Sequence, residues 1–240
     1  MTTLIAVYTT RAGQTSTHWA VCLAWTLAER NRVLLVDCDM EGGTIADLLL
    51  LRTGDRGIAN CFGDRPANPA ELAAQAVAHP TRDSLRVVPG LSRSYGYEIG
   101  ECLRQLGQAL TGADDDVVIA DLGHPLSHPG LRSPRAAAEA ICRVFGRAFV
   151  VIRDDPALLA RSIAVLQAAR PAHGELIVCH QHGRSYRRAI AQSLQHNLPD
   201  MARREVWHWD EARATRMSET GIPASLFGVP EDLGIVPMAV

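Results

Sequence analysis

Thr9-Thr10-Arg11-Ala12-Gly13-Gln14-Thr15-Ser16-Thr17 is the stretch that decides the fold of this chain. Before it stands Leu4-Ile-Ala-Val-Tyr8, a short apolar run suited to a buried strand. After it, from about His18 to Glu29, Ala20, Leu23, Ala24 and Leu27 recur at helical spacing. A polar loop between a strand and a helix places backbone N–H groups at the helix N-terminus. Such groups bind phosphate without any charged side chain. A Thr/Ser-rich helix cap reads the same locally, so the rest of the chain must decide between the two.

A second buried strand, Val33-Leu-Leu-Val-Asp37, ends in acid and continues as Cys38-Asp39, then Gly42-Gly43. A later one, Val117-Val-Ile-Ala-Asp121, is followed closely by Gly123. Further strands are expected at 85–88, 148–152 and 176–179, with a short one near 205–207. Helices are expected at 42–51, 69–78, 97–110, 134–145, 156–169, 185–196 and 210–219. Residues 52–69 read as loop, and 226–240 as a loosely packed tail. Strands alternating with helices of this length predict an α/β fold in three layers, a mainly parallel sheet covered by helices on both faces. The pattern is read as one domain over residues 1–240. Sheets of this type bind ligands at the C-terminal ends of their strands. Asp37, Asp39 and Asp121 all fall there.

The chain contains no lysine: all 24 of its Lys+Arg residues are arginine. Coding bias toward arginine explains such depletion on a surface. At a phosphate site it still matters, because the two side chains are not interchangeable. Hydrophobic residues make up 47%, enough for a core under two helical layers, and the net charge of −2 exerts no strong pull on nucleic acid or anionic lipid. The six cysteines show no CxxC and no metal-like spacing. Cys22, Cys38, Cys142 and Cys179 lie in apolar runs and are expected as buried free thiols in a reducing cytoplasm. The first residues lack the pattern of a signal peptide, and no run is long enough to span a membrane. His124, His128, His180 and His182 form no closed ligand set and are expected at the solvent edge.

Taken together, these motifs resemble the deviant-Walker P-loop NTPases of the ParA/MinD family over about residues 2–225. That family's loop runs Lys-Gly-Gly-x-Gly-Lys-Thr. Here the slots hold Arg11, Ala12, Gly13, Gln14, Thr15, Ser16 and Thr17. Asp37 and Asp39 match its Asp-x-Asp, Val117–Asp121 its Walker B strand, and 85–90 its strand followed by Pro-Gly. The resemblance implies ATP and Mg²⁺ as ligands. It makes Gly13, Thr15, Ser16, Thr17 and Asp121 nucleotide contacts, with Thr17 and Asp121 supporting Mg²⁺, Asp121 through water. Asp39 becomes the carboxylate that orients attacking water. Gln181 takes the place of a base-reading asparagine. Arg11 fills the slot of the signature lysine that reaches the partner's nucleotide across a dimer. The lysine that grips the β- and γ-phosphates is replaced by Ser16, and the glycine before it by Thr15.

The magnesium-facing acids are thus kept and the phosphate-gripping residues altered. Ser16 has no charge with which to stabilise a phosphoryl transition state. The expected function is that of a weak or inactive NTPase homologue. It would act as a dimeric positioning or assembly factor for a pilus, secretion or division machine, as TadZ-like members do. Two alternatives remain: an active ATPase using Arg11 and backbone amides, and an interaction module that binds no nucleotide. Arg184, Arg187 and Arg188 share one helix face, read either as solvated or as a weak phosphate-contacting patch. The tail lacks a basic amphipathic helix. Recruitment of this cytoplasmic protein to a membrane or pole is therefore expected through a protein partner.

Overall fold

The structure, a computed structural model, describes residues 2–92, 99–127, 133–171, 174–180, 184–208 and 210–224, without the side chains of residues 180, 184–187 and 203–208. The tail at 226–240 lies outside these residues. Eight strands form one sheet: β1 (Thr3–Tyr8), β2 (Val33–Asp37), β3 (Val77–His79), β4 (Arg82–Val88), β5 (Val117–Asp121), β6 (Arg147–Arg153), β7 (Gly174–His180) and β8 (Ala202–His208). Their order is β3-β4-β2-β5-β1-β6-β7-β8. Every pairing is parallel except that of β3 with β4.

The central strands are apolar on both faces, as a parallel sheet under two helical layers requires. Alternate residues feed two cores. Ala6, Tyr8, Leu34, Val36, Val118, Ala120, Val150 and Ile152 face one. Ile5, Val7, Val33, Leu35, Val117, Ile119, Phe149 and Val151 face the other. On the first side lie α4 (Ile99–Thr111), α5 (Pro134–Val144) and α6 (Pro156–Ala169), each contributing a buried stripe. On the second lies α1 (Ser16–Leu27), buried almost all round, with Met217 of α8 (Glu211–Thr220) in the same core.

The expected fold class holds, with local departures. Helix α1 begins two residues earlier than its apolar spacing suggests, because Thr15 turns the chain sharply before Ser16. The helix expected at 42–51 shrinks to α2, Ile45–Leu48. Gly42 has φ +144, and Gly43 packs so tightly that a Cβ there would lie 2.5 Å from Asp37 Oδ2 and from the Gly90 Cα. The backbone at 42–44 serves that contact rather than a helix. Helix α3, Pro69–Gln75, is fixed by an Asn68–Glu71 capping box and stops short of 78. There Val77–His79 forms β3, a hairpin partner of β4 with a bulge at Ala78/His79. Nothing local in Val77-Ala78-His79 signals a strand; pairing with β4 decides it. Helix α7 spans Arg184–Asn197.

Candidate functional site

Register brings the loop and the acids to one edge. On β1, Val7 pairs with Asp121, and on β2, Asp37 pairs with the same Asp121. The chain leaving β1 is tied to that edge by a hydrogen bond from Thr9 N to Gly123 O at 2.9 Å. The 10–17 loop then turns between the ends of β5 and β6 into α1.

The loop between β1 and α1 carries two residues in the left-handed region. Gly13 has φ +79, and Thr15 has φ +66 and ψ 16. Thr15 sits in the left-handed region, where a residue with a Cβ costs on the order of 1–2 kcal/mol. Thr15 thus holds a backbone conformation that glycine ordinarily supplies. The Thr15 carbonyl starts α1 by accepting from Trp19 N, but no side chain caps the helix and its first turn holds no acid.

Gln14 holds the loop in place. Its side chain is buried, 1% exposed. Its Nε2 donates to Thr10 Oγ1 and to Ser162 Oγ, each at 3.0 Å, and Thr10 Oγ1 donates to Ser162 at 2.7 Å. Its Oε1 accepts from Arg153 N at 3.1 Å. The Arg153 guanidinium returns to the loop, donating from Nη1 to Gly13 O at 3.1 Å. One amide thus joins the loop to the end of β6 and to α6. The sequence reading assigned no role to Gln14, Ser162 or Arg153. The strand-end rule that singles out Asp37 and Asp121 also picks out Arg153, the last residue of β6.

The carboxylates are packed as closely as their spacing suggests. Asp37 is 1% exposed and Asp121 0%. Asp37 accepts from Asp39 N at 3.3 Å and from Ile45 N at 3.0 Å. Asp121 Oδ1 accepts from Gly123 N at 3.2 Å. Its Oδ2 is buried and has no hydrogen-bond partner among the described residues, and neither has Thr9 Oγ1. Asp39 accepts from Glu41 N at 3.0 Å. Gly123, at φ +61, lets the chain pass Asp39 closely: a Cβ there would meet the Asp39 carboxylate at 2.5 Å. Glu41 is paired with His124 at 3.1 Å across this corner. His124, only 15% exposed in its side chain, is therefore not the solvent-edge histidine expected. The thiols also differ in detail. Cys61 and Cys102 join Cys22, Cys38 and Cys179 as buried, whereas Cys142 is partly exposed.

Burial raises both acids. Asp37 is pushed up first by desolvation and then by the charge of Asp121. Asp121 is raised by desolvation, while nearby Thr17 and the Gly123 amide hold it down. A carboxyl raised in the fold binds its proton more tightly there than in the unfolded chain. Its contribution favours folding at low pH and is lost as pH rises through the raised value. The window runs from the ordinary 3.8 to about 6 for Asp121 and about 8 for Asp37. Denaturant titration of the unliganded chain should therefore show stability falling as pH rises across this window, with the Asp121 part alone amounting to about 3 kcal/mol at about 1.4 kcal/mol per pKa unit. Asp121→Asn should flatten the slope; an unchanged slope would show that Asp121 is not the group responsible.

The site residues expected from sequence separate into two sets. Gly13, Thr15, Ser16, Thr17, Asp39 and Asp121 come together at one corner. Ser16 is buried, 5% exposed, and Thr17 lies beside Asp121. Arg11 is partly exposed on the same loop. Gln181 lies outside the described residues. Among the described residues no three His, Cys, Asp or Glu side chains are arranged to hold a metal ion by themselves. The chemistry present suits Mg²⁺ in another manner. That ion keeps its waters and takes one or two protein oxygens together with phosphate oxygens. The Thr17 hydroxyl and the unpartnered Asp121 Oδ2 are such oxygens.

No protein-family model and no curated protein matches the sequence. Solved structures match the fold over nearly the whole chain. MinD of Pyrococcus horikoshii, a septum site-determining protein complexed with Mg-ADP, aligns at TM-score 0.65 and 18% identity, over 93% of this chain and 87% of its own. The MinC:MinD cell division complex of Aquifex aeolicus aligns at 0.69 and 14% identity, over 97% and 89%. A ParA family ATPase from Chlorobium tepidum aligns at 0.68 and 14% identity, over 91% and 90%. With the strand order, the left-handed loop residues and the paired strand-end acids in place, the chain has the ParA/MinD-like α/β fold of P-loop NTPases.

Proposed function

We propose that this chain is a nucleotide-binding homodimer with weak or no hydrolytic activity. It acts as a positioning or assembly factor for a pilus, secretion or division machine. The observation that carries this reading is the split character of its loop. The phosphate-cradling backbone persists even at Thr15, where it is strained, while a buried serine stands in the slot of the phosphate-gripping lysine. Strain kept at a site is a pointer to use. Binding can draw on backbone amides, Thr17 and Mg²⁺ near Asp121. Turnover needs charge at the transferred phosphoryl group, and losing one such contact lowers rates by about 10²–10³. ATP is the nucleotide favoured, on the analogy of the Mg-ADP bound to one structural neighbour. We take residues 1–240 to act as a single domain.

Association with other proteins has support in the neighbour solved as a MinC:MinD complex. No helix among the described residues is long and apolar enough to cross a membrane. Recruitment to a membrane or pole is accordingly assigned to a protein partner. Arg188 is exposed on α7 and suits at most weak, salt-sensitive contact with nucleic acid. The second reading, an active ATPase, draws on Arg11, a cation held on the loop itself.

One experiment separates the two. In the proposed dimer Arg11 reaches the partner's phosphates. Arg11→Ala should then lower self-association in Mg-ATP by about tenfold, a loss of roughly 1.4 kcal/mol, and Ser16→Ala should leave it unchanged. Phosphate release should stay near background in the unsubstituted chain. Sedimentation and a phosphate assay read both. Steady turnover abolished by Asp39→Ala would establish the active enzyme instead. Equal self-association of the unsubstituted chain and Arg11→Ala, both with and without nucleotide, would remove the cross-dimer contact.

A further inference from the structure

The sheet carries a second feature at its far end. A cleft of about 410 Å³ lies where β2, β4 and β5 begin, beside α3 and the end of α4. The phosphate loop and the strand-end acids stand at the opposite ends of these strands. Along the five residues of β2 that separation is about 16 Å, at roughly 3.3 Å per residue. α3 is only seven residues long, because the chain leaves it at Ala76 to pair as β3. Gly112, just past α4, comes so close to α3 that a Cβ there would lie 2.6 Å from Pro69 Cγ. The two helices meet at that point, and the cleft lies beside it.

Its base is apolar, formed by the buried side chains of Leu34 and Leu72. Along its wall stand Ala70 and Ala73 of α3, both exposed. The charged residues around it decide what it can hold. Arg86 and Asp115 form a bidentate pair, Nη2 to Oδ2 at 2.6 Å and Nε to Oδ1 at 3.3 Å, with the Asp115 side chain 3% exposed. That pair is neutral as a unit. At the mouth the balance is negative. Arg32 shares its one charge between Asp114 at 3.5 Å and Asp116 at 3.7 Å. Asp83, exposed on β4, has no ion-pair partner among the described residues. An anion is disfavoured at such a mouth, and a wholly apolar group would leave its carboxylates unused. A long side chain with a cationic head suits both parts. Its stem lies on leucine and alanine while its head stays hydrated beside the acids, as arginine and lysine side chains ordinarily lie on apolar surface.

We propose that this cleft is a docking site for a protein partner and receives an arginine or lysine side chain from a basic segment of that partner. One side chain seated in a pocket is a common anchor of such contacts. The carboxylates at the mouth steer a basic segment toward the cleft and select against an acidic one. The docking site does not depend on nucleotide. It lies at the other end of the sheet from the phosphate loop, so both can be occupied at once, and it leaves Arg11 uncovered.

The test follows amide chemical shifts of the isotope-labelled full chain during titration with the blocked peptide acetyl-Leu-Arg-Ala-Leu-Arg-amide. The same peptide with glutamate for arginine is the control, and butylguanidinium is the free small cation. The expected result is saturable shifts gathered at Ala70, Ala73 and Asp83 with the basic peptide only, weakening as salt is raised. Asp83→Asn combined with Asp114→Asn should weaken binding by about threefold or more. Ala73→Trp should abolish it by filling the cleft. Melting curves check the fold of each variant, and the two aspartates, being exposed, carry the test if Ala73→Trp unfolds. Equal binding of the acidic peptide, shifts gathered elsewhere, or aspartate variants that bind like the unsubstituted chain would overturn the proposal. Butylguanidinium binding as tightly as the peptide would make this a small-cation site instead. Self-association lost in the aspartate variants would assign the cleft to a second copy. Failure of the chain to bind Mg-ATP would leave all of these outcomes unchanged.

Discussion

Thr15→Gly combined with Ser16→Lys should raise both nucleotide affinity and turnover, the latter by about 10²–10³ over the unsubstituted chain. Two physical changes act together. Thr15 occupies the left-handed region at φ +66, and glycine adopts that conformation without a Cβ clash. Relief of that strain should stabilise the unliganded loop by about 1 kcal/mol. Ser16 is the first residue of α1 and is buried against the loop, so a lysine there starts among the helix-terminal amides. Its ammonium supplies charge where charge develops in phosphoryl transfer. Asp39 and Asp121 are already at the same edge. Titration with Mg-ATP and a steady-state phosphate assay read the two effects. Gain of affinity without turnover would mean that Asp39, packed against Gly123 and bonded by the Glu41 amide, is not set to orient water.

Gln14→Ala should lower stability by about 2–4 kcal/mol. It removes three hydrogen bonds, to Thr10, Ser162 and the Arg153 N–H, from a place with no solvent to replace them. The cost of leaving a buried donor or acceptor without a partner is about 1–3 kcal/mol each, more than the net worth of the bond. Thr10 and Ser162 retain their mutual bond, which limits the damage. For a chain of this size the melting temperature should fall by roughly 5–15 °C. Gln14→Glu should cost less than Gln14→Ala, since a carboxylate can still accept from Arg153 N and from the Ser162 hydroxyl although it cannot donate as the amide does. Thermal and denaturant unfolding are the checks. A shift under 2 °C for Gln14→Ala, about 1 kcal/mol or less, would show that the network is not under strain of desolvation.

Much of this was legible in sequence because it depends on local pattern. Five-residue apolar runs ending in acid set β2 and β5 with their ends at Asp37 and Asp121. The start of α3 at Pro69 likewise agrees with the helix expected from 69. What was not legible depends on partners distant in the chain. Gln14 and Ser162 are 148 residues apart, and no spacing rule connects a polar loop residue with a helix serine. β3 exists only because β4 lies beside it. The shortness of α2 follows from Gly43 meeting Gly90 and Asp37 at contact distance, which the glycine pair hints at without naming the far side. The pairing of His124 was missed because its partner, Glu41, belongs to another loop.

The three-residue strand at one end of the sheet has a bearing on how the molecule behaves in a crowded solution. An open strand edge invites other chains to continue it, and long flat edges seed disordered aggregates. Here that end is closed by a hairpin arm that is too brief and too kinked, at Ala78/His79, to serve as a template. Growth of the sheet from that margin is blocked. Open-ended stacking through that margin is thus disfavoured by the fold itself.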